Sequence, residues 1–154
     1  EITFKTMLTN FGLNSANLVI KDASGLSKEN RLSAEQIAKL LVAINYDPKF
    51  APMIAGLPVG GISGTLRNRF IDTAPQAVGL VRAKTGTLNG TVSLAGYIES
   101  GDREYIFVVI ADKLSRTYSA AKVARDTLDR YLGRIATPLE PIVETTTAVS
   151  SIAP

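Results

Sequence analysis

The tightest constraint on the fold lies between residues 79 and 111. Three β-favouring runs, 79–85, 91–98 and 105–111, follow one another with connections of only a few residues. Parallel strands need a crossover of a dozen or more residues, so strands this close together should pair antiparallel, as a meander. Asn89-Gly90 carries turn chemistry, and Ser100-Gly101-Asp102 reads as a hairpin between the second and third runs. The stretch Tyr105-Ile106-Phe107-Val108-Val109-Ile110 is apolar throughout, as expected for a strand buried on both faces.

Helical patterns stand on both sides of this meander. Near the start, Phe4, Met7, Leu8 and Phe11 fall at helical spacing, and Gly12 sits where a C-cap belongs. Leu18-Val19-Ile20 is a short β-like run that ends in the turn-rich Lys21-Asp22-Ala23-Ser24-Gly25. Ser33-Ala34-Glu35-Gln36 is a capping-box variant, followed by the apolar face Ile37, Leu40, Leu41 and Ile44 and by the stop signal Asp47-Pro48. Residues 51–64 are punctuated by Pro and Gly, with a short helix expected around 64–69. From 119 to 135 a helix is expected to bury Ala120, Ala124, Leu128, Tyr131, Leu132 and Ile135, leaving Lys122, Arg125, Asp126, Asp129 and Arg130 off that face. The order helix, strand, helices, three strands, helix predicts an α+β domain, an antiparallel sheet flanked by helices, and not a doubly wound parallel sheet. Residues 1–136 form this domain portion; 137–154, rich in Pro, Thr and Ser, read as a tail without a core.

Composition narrows the chemistry. Of 154 residues, 45% are hydrophobic and 20% charged, a globular balance. No run approaches 18 apolar residues, so no transmembrane helix is expected. The chain has no Cys, which removes disulfides and thiolate metal sites, and no His, which excludes a Ser-His-Asp triad. Acid–base work must fall to Lys, Asp, Glu or Tyr. The net charge of +3 comes from scattered residues; the densest basic run, Arg67-Asn68-Arg69, is short, so nucleic acid is not the expected partner. Glu1 opens the chain without a Met or a leader, and the first residues read as the middle of a fold, so a fragment is expected.

Lys84-Thr85-Gly86-Thr87 is the informative tetrapeptide. It is read at the end of the first strand, where an exposed edge can pair with an extended peptide. Lys84 offers a point charge, Thr85 and Thr87 present hydroxyls on one strand face, and Gly86 permits close approach to the backbone. Such a set suits a C-terminal carboxylate beside an acyl centre.

The flanking segments add specificity. Asp22-Ala23-Ser24-Gly25-Leu26-Ser27, then Asn30-Arg31-Leu32-Ser33, precede Leu57-Pro58-Val59-Gly60-Gly61-Ile62-Ser63-Gly64-Thr65-Leu66. Next come Val81-Arg82-Ala83-Lys84-Thr85-Gly86-Thr87-Leu88 and Ser93-Leu94-Ala95-Gly96-Tyr97. In this order, over residues 1–136, the chain resembles the C-terminal part of the D-alanyl-D-alanine carboxypeptidase/endopeptidase family of class C low-molecular-mass penicillin-binding proteins, peptidase family S13. The resemblance implies a transpeptidase-like fold and a serine-type, cofactor-free hydrolase acting through an acyl-enzyme. It also implies peptidoglycan stem peptides as substrate, β-lactams as inhibitors and an extracytoplasmic location. By the same resemblance, Lys84, Thr85, Gly86 and Thr87 bind the substrate, Lys84 supports proton transfer, and the Thr87 N–H is a second oxyanion donor. The family's S-x-x-K nucleophile and its S-x-N motif are expected on a missing N-terminal part of the same protein.

Two literal motif matches fall in the wrong order. Ser119-Ala120-Ala121-Lys122 fits S-x-x-K but follows K-T-G, and reads as the start of a packing helix. Ser15-Ala16-Asn17 fits S-x-N but stands too close to Asp22, and reads as a loop. Asp22–Ser27 either shapes the site or is a turn built from Asp, Ser and Gly, and Arg67 and Arg69 read as solvated or ion-paired charges. The alternative function is a non-catalytic module that binds D-Ala-terminated peptides or a protein partner. Another K-T-G family, such as a serine β-lactamase or esterase, is disfavoured by the Asp22–Ser27 and 57–66 segments.

Overall fold

A computed structural model describes residues 2–13, 18–88 and 90–137. Helix α1 (Ile2–Asn10) closes at Gly12: the Gly12 N–H bonds the Thr9 carbonyl and the Leu13 N–H bonds that of Leu8, the paired bonds of a Schellman cap. Its hydrophobic partners Leu8 and Leu13 are buried together with Leu18 in a small cluster that Leu40 joins. The run 18–20 forms only an isolated bridge, Val19 to Arg31. Helix α2 (Ala34–Asn45) starts with the expected capping box. Ser33 Oγ accepts from the Gln36 N–H, and the Gln36 side chain accepts from the Ser33 N–H. Helix α3 (Ala51–Ala55) is one short turn, and 64–69 supplies a single 3₁₀ turn, Gly64–Leu66.

Strands β1 (Val81–Leu88), β2 (Thr91–Ser100) and β3 (Arg103–Ala111) form the expected antiparallel meander, in the order β1-β2-β3. Gly101 has φ 61° while Asp102 does not have positive φ, the pattern of a type II′ hairpin. Gly90 turns the first hairpin at φ 82°; Asn89 lies outside the described residues. Helix α4 (Tyr118–Ala136) covers one face of the sheet: Leu128, Leu132 and Ala136 share a core with Val81, Ala83, Val92, Leu94 and Ile98. Helix α2 covers the other face, where the buried Tyr97 donates its hydroxyl to the Leu41 carbonyl at 3.0 Å. No helix among the described residues is long and apolar enough to cross a membrane.

Three expectations need correction. First, β1 does not stop at Thr85. The pairs Gly86–Ser93, Thr87–Val92 and Leu88–Thr91 carry the ladder on, so K-T-G lies inside the strand. Second, β3 is not buried on both faces. It is an edge strand among the described residues, with Phe107 buried and Tyr105 and Ile110 exposed; the strand in the middle, β2, is the buried one. Third, the buried stripe of α4 is turned away from the expected one. Tyr131 and Ile135 are exposed, whereas Asp129 and Gly133 are buried. Gly133 faces the turn at 74–77, where a Cβ would come within 2.6 Å of Ala74 Cβ and Gln76 Nε2, and Asp129 faces the partly buried Arg69. An apolarity count assigns neither residue to a buried stripe. Of the expected tail, Thr137 bonds the Gly133 carbonyl, and 138–154 lie outside the described residues.

Candidate active site

The loop before β1 decides how much of that strand is open. Its Pro58-Val59-Gly60 segment lies along the first half of β1: the Gly60 N–H bonds the Val81 carbonyl at 2.9 Å, and the Ala83 N–H bonds that of Pro58 at 3.0 Å. Ser63 Oγ anchors the loop by accepting from the Val59 N–H. Beyond Ala83 no described segment pairs with the outer edge of β1. In an antiparallel strand the N–H and C=O of one residue point to the same side, and the side alternates. Val81 and Ala83 point outward, so Thr85 and Thr87 do as well. The open edge therefore begins at K-T-G and offers the main-chain groups of Thr85 and Thr87 to an extended ligand, the Thr85 carbonyl also accepting from Lys84 Nζ.

The side chains divide between the two faces. Thr85, Gly86 and Thr87 line a pocket of about 330 Å³ together with Thr65, Asn68, Arg69, Val92, Ser93 and Arg125. Thr85 Oγ1 donates to Thr65 Oγ1 at 3.0 Å, which fixes the hydroxyl against the 3₁₀ turn. A Cβ at Gly86 would overlap Ser93 Oγ across the ladder, so only glycine fits without displacing that hydroxyl. Lys84 is not in this pocket. It lies on the opposite strand face, exposed, with Nζ folded onto the Thr85 carbonyl at 2.6 Å. K-T-G thus places both threonines in the pocket, while the Lys84 ammonium, outside its lining, rests on the Thr85 carbonyl. A second pocket of about 410 Å³ adjoins the first at Thr87 and Val92 and is lined by Lys28, Ser115, Arg116 and Tyr118 among others.

Behind the first pocket sits a buried ion pair. Asp129, 1% exposed, accepts from Arg69 Nε at 3.0 and 2.9 Å on its two oxygens and again from Nη2. It also accepts from the Thr73 hydroxyl at 3.1 Å and the Phe70 N–H at 3.4 Å. Phe70 itself has φ 72°, a left-handed conformation that a bulky residue adopts only when its surroundings hold it there. Arg69 Nη2 also donates to the Arg125 carbonyl at 3.3 Å, tying the pocket floor to α4. Arg69 is thus the ion-paired alternative of the sequence reading, while Arg67 is exposed.

The Asp22 segment is a pinned turn. Its carboxylate accepts from Asn30 Nδ2, Ser24 Oγ and the N–H groups of Gly25, Leu26 and Ser27. These bonds, that from Asn30 foremost and then that from Ser24, hold the Asp22 carboxyl below its ordinary value of 3.8. Lys28, just past this turn, reaches the larger pocket. Of the two literal motif matches, Ser119 bonds Thr117 Oγ1, while Lys122 pairs with Asp126 one turn on and not with Ser119. Thr117, not Ser119, caps α4 by accepting from the Ala120 N–H. Ser15-Ala16-Asn17 lies outside the described residues. The sequence reading missed Thr65, Asn68, Ser93 and Arg125 as pocket residues. Ser93 could have been found from the register opposite Gly86; nothing in the sequence separates Arg125 from a solvated helix charge.

An antiparallel sheet between helices, with an open-edged K-T-G strand, is the architecture of the penicillin-binding fold. The model of the D-Ala-D-Ala carboxypeptidase 3 (S13) family matches residues 2–135, and the chain belongs to that family. Among curated relatives, carboxypeptidase DacB of Mycolicibacterium smegmatis is 37% identical over 117 residues, covering 73% of this chain and 25% of the relative. The D-alanyl-D-alanine carboxypeptidase of Actinomadura sp. (strain R39) is 38% identical over 108 residues, 67% of this chain and 20% of that protein. The chain therefore spans about a quarter or less of these relatives. Among solved structures, penicillin-binding protein 4 (dacB) of Haemophilus influenzae, in complex with a β-lactam, superposes with a TM-score of 0.73 at 26% identity. That match covers 84% of this chain and 31% of the other.

Proposed function

We propose that this chain forms the K-T-G wall of a serine-type D-Ala-D-Ala carboxypeptidase/endopeptidase that cleaves peptidoglycan stem peptides through an acyl-enzyme. The observation that carries the reading is the open edge of β1 beginning at Lys84, with the hydroxyls of Thr85 and Thr87 gathered in one pocket beside it. An extended peptide added along this edge would hydrogen-bond the main chain of Thr85 and Thr87. Its terminal carboxylate would enter the pocket at the two hydroxyls. The outward N–H of Thr87 is the oxyanion donor that this chain supplies. Lys84, on the other strand face, supports proton transfer there.

The nucleophilic serine belongs to an S-x-x-K motif elsewhere in the polypeptide, N-terminal to this chain. Its Oγ bonds the carbonyl carbon of the penultimate D-Ala, the peptide C–N bond breaks, and the terminal D-Ala leaves as an amine that takes up the serine proton. Water then hydrolyses the ester. The enzyme would work outside the cytoplasmic membrane, where its substrate lies, and β-lactams would acylate the same serine.

The test is intact-mass analysis of the full-length protein after incubation with benzylpenicillin, followed by peptide mapping. One penicilloyl adduct on a serine outside residues 1–154 is the expected result. An adduct on Ser119 or another serine of this chain would refute the division of the site. No adduct at all would favour a non-catalytic binding module.

A further inference from the structure

We propose that Arg125 is a specificity-determining residue of this site, supplying the positive charge by which the pocket selects ligands that end in a carboxylate. The inference rests on the carboxypeptidase reading and deepens it. A terminal carboxylate placed at Thr85 and Thr87 leaves a full negative charge that two hydroxyls solvate but do not neutralise, so a cation beside them adds selectivity for the anion. Lys84 does not line this pocket: it extends from the opposite strand face and bonds the Thr85 carbonyl. The pocket contains two cations, Arg69 and Arg125, and no carboxylate lines it.

Arg69 is not available, since the buried Asp129 already holds its guanidinium at two nitrogens. Arg125 has no carboxylate partner among the described residues; the neighbouring Asp126 is taken by Lys122. Its guanidinium lies 5.8 Å from the centroid of the Tyr118 ring, which orients the planar group without neutralising it. The Arg125 main chain is fixed by Arg69 Nη2, so the Arg69–Asp129 pair sets the helical turn from which Arg125 enters the pocket. Half-buried, in a pocket it shares with at least three hydroxyl-bearing residues, Arg125 is placed for the bidentate ion pairing that the two oxygens of a carboxylate offer and a neutral ester lacks.

The experiment compares acylation of the full-length protein by benzylpenicillin and by its methyl ester, which share the reacting ring and differ in the carboxylate. Wild type should react faster with the acid. In Arg125→Gln the acid rate should fall about ten- to hundred-fold, the range for a lost charge-assisted contact, with the ester rate unchanged, so that the preference collapses. Arg125→Lys keeps the charge but loses the fork, and should lose a smaller part of the preference. Lys122→Gln, on the same helix, should change neither rate. Both rates are read on one protein sample, so their ratio is independent of any loss of folded fraction. A ratio that survives Arg125→Gln overturns the inference while leaving the carboxypeptidase reading intact. A wild-type protein that reacts with neither compound overturns that reading, and the inference with it.

Discussion

Removing the Asp129 carboxylate should be among the most damaging single changes in the described fold. In Asp129→Leu, the Arg69 guanidinium, whose side chain is 13% exposed, loses its counter-charge in a site from which water is largely excluded. The Thr73 hydroxyl and the Phe70 N–H lose their acceptor, and Phe70 must still hold φ 72°. Breaking one side of a buried ion pair costs about 3–5 kcal/mol, most of it the stranded charge and not the lost attraction. Arg69→Met alone leaves the carboxylate stranded and should cost a similar amount. The double variant Arg69→Met/Asp129→Leu strands neither charge, and should recover to within about 2 kcal/mol of wild type. Urea unfolding of the four proteins, with equal slopes as the condition for comparison, closes the cycle and gives a coupling energy of at least about 4 kcal/mol, the two single costs less that of the double variant. Additive single effects would refute the reasoning, because they would mean that the two groups do not share a desolvated site. A small effect of Asp129→Leu alone would refute it equally, by showing that Arg69 finds water.

Gly86→Ala should leave stability close to wild type but, by overlapping Ser93 Oγ on the Lys84 face of the sheet, shift the K-T-G stretch of β1. Under the proposed function, acylation by benzylpenicillin should drop about a hundredfold, as expected when reacting groups shift by about an ångström. Ser33→Ala removes one half of the capping box of α2 and should cost about 1 kcal/mol by thermal or urea unfolding, with no change in ligand preference. Asp22→Asn tests the pinned turn through pH. The folded-state carboxyl is held below 3.8, so the ionised form contributes stability that is present above 3.8 and is lost as pH falls through the lower folded value. The stability gap between wild type and Asp22→Asn should therefore be constant at neutral pH and close as the solution is acidified below 3.8; a gap unaffected by acid would mean that the charge is not what holds the turn.

What was legible in the sequence and what was not divides along a physical line. The meander, the capping box at Ser33 and the pairing of Thr85 with Thr87 on one face follow from local rules: short connections, a side chain three residues from its partner, a period of two. These interactions close within a few residues, so the sequence displays them directly. The packing face of α4 depended instead on residues 60 positions away. Asp129 is buried because Arg69 meets it, and Gly133 because the turn at 74–77 presses close, and no window on the helix contains either fact. The same distance hid half of the site. K-T-G was found as a strand motif, but its pocket is completed by Thr65 and Asn68 from the preceding loop and by Arg125 from the last helix. Lys84 stands differently: adjacent in sequence to Thr85, it leaves the strand on the opposite face, because a strand sends neighbouring side chains to opposite faces. A strand motif therefore marks two surfaces, and the charge for a ligand on one of them has to come from another element; here the geometry leaves Arg125 as the group in position to provide it.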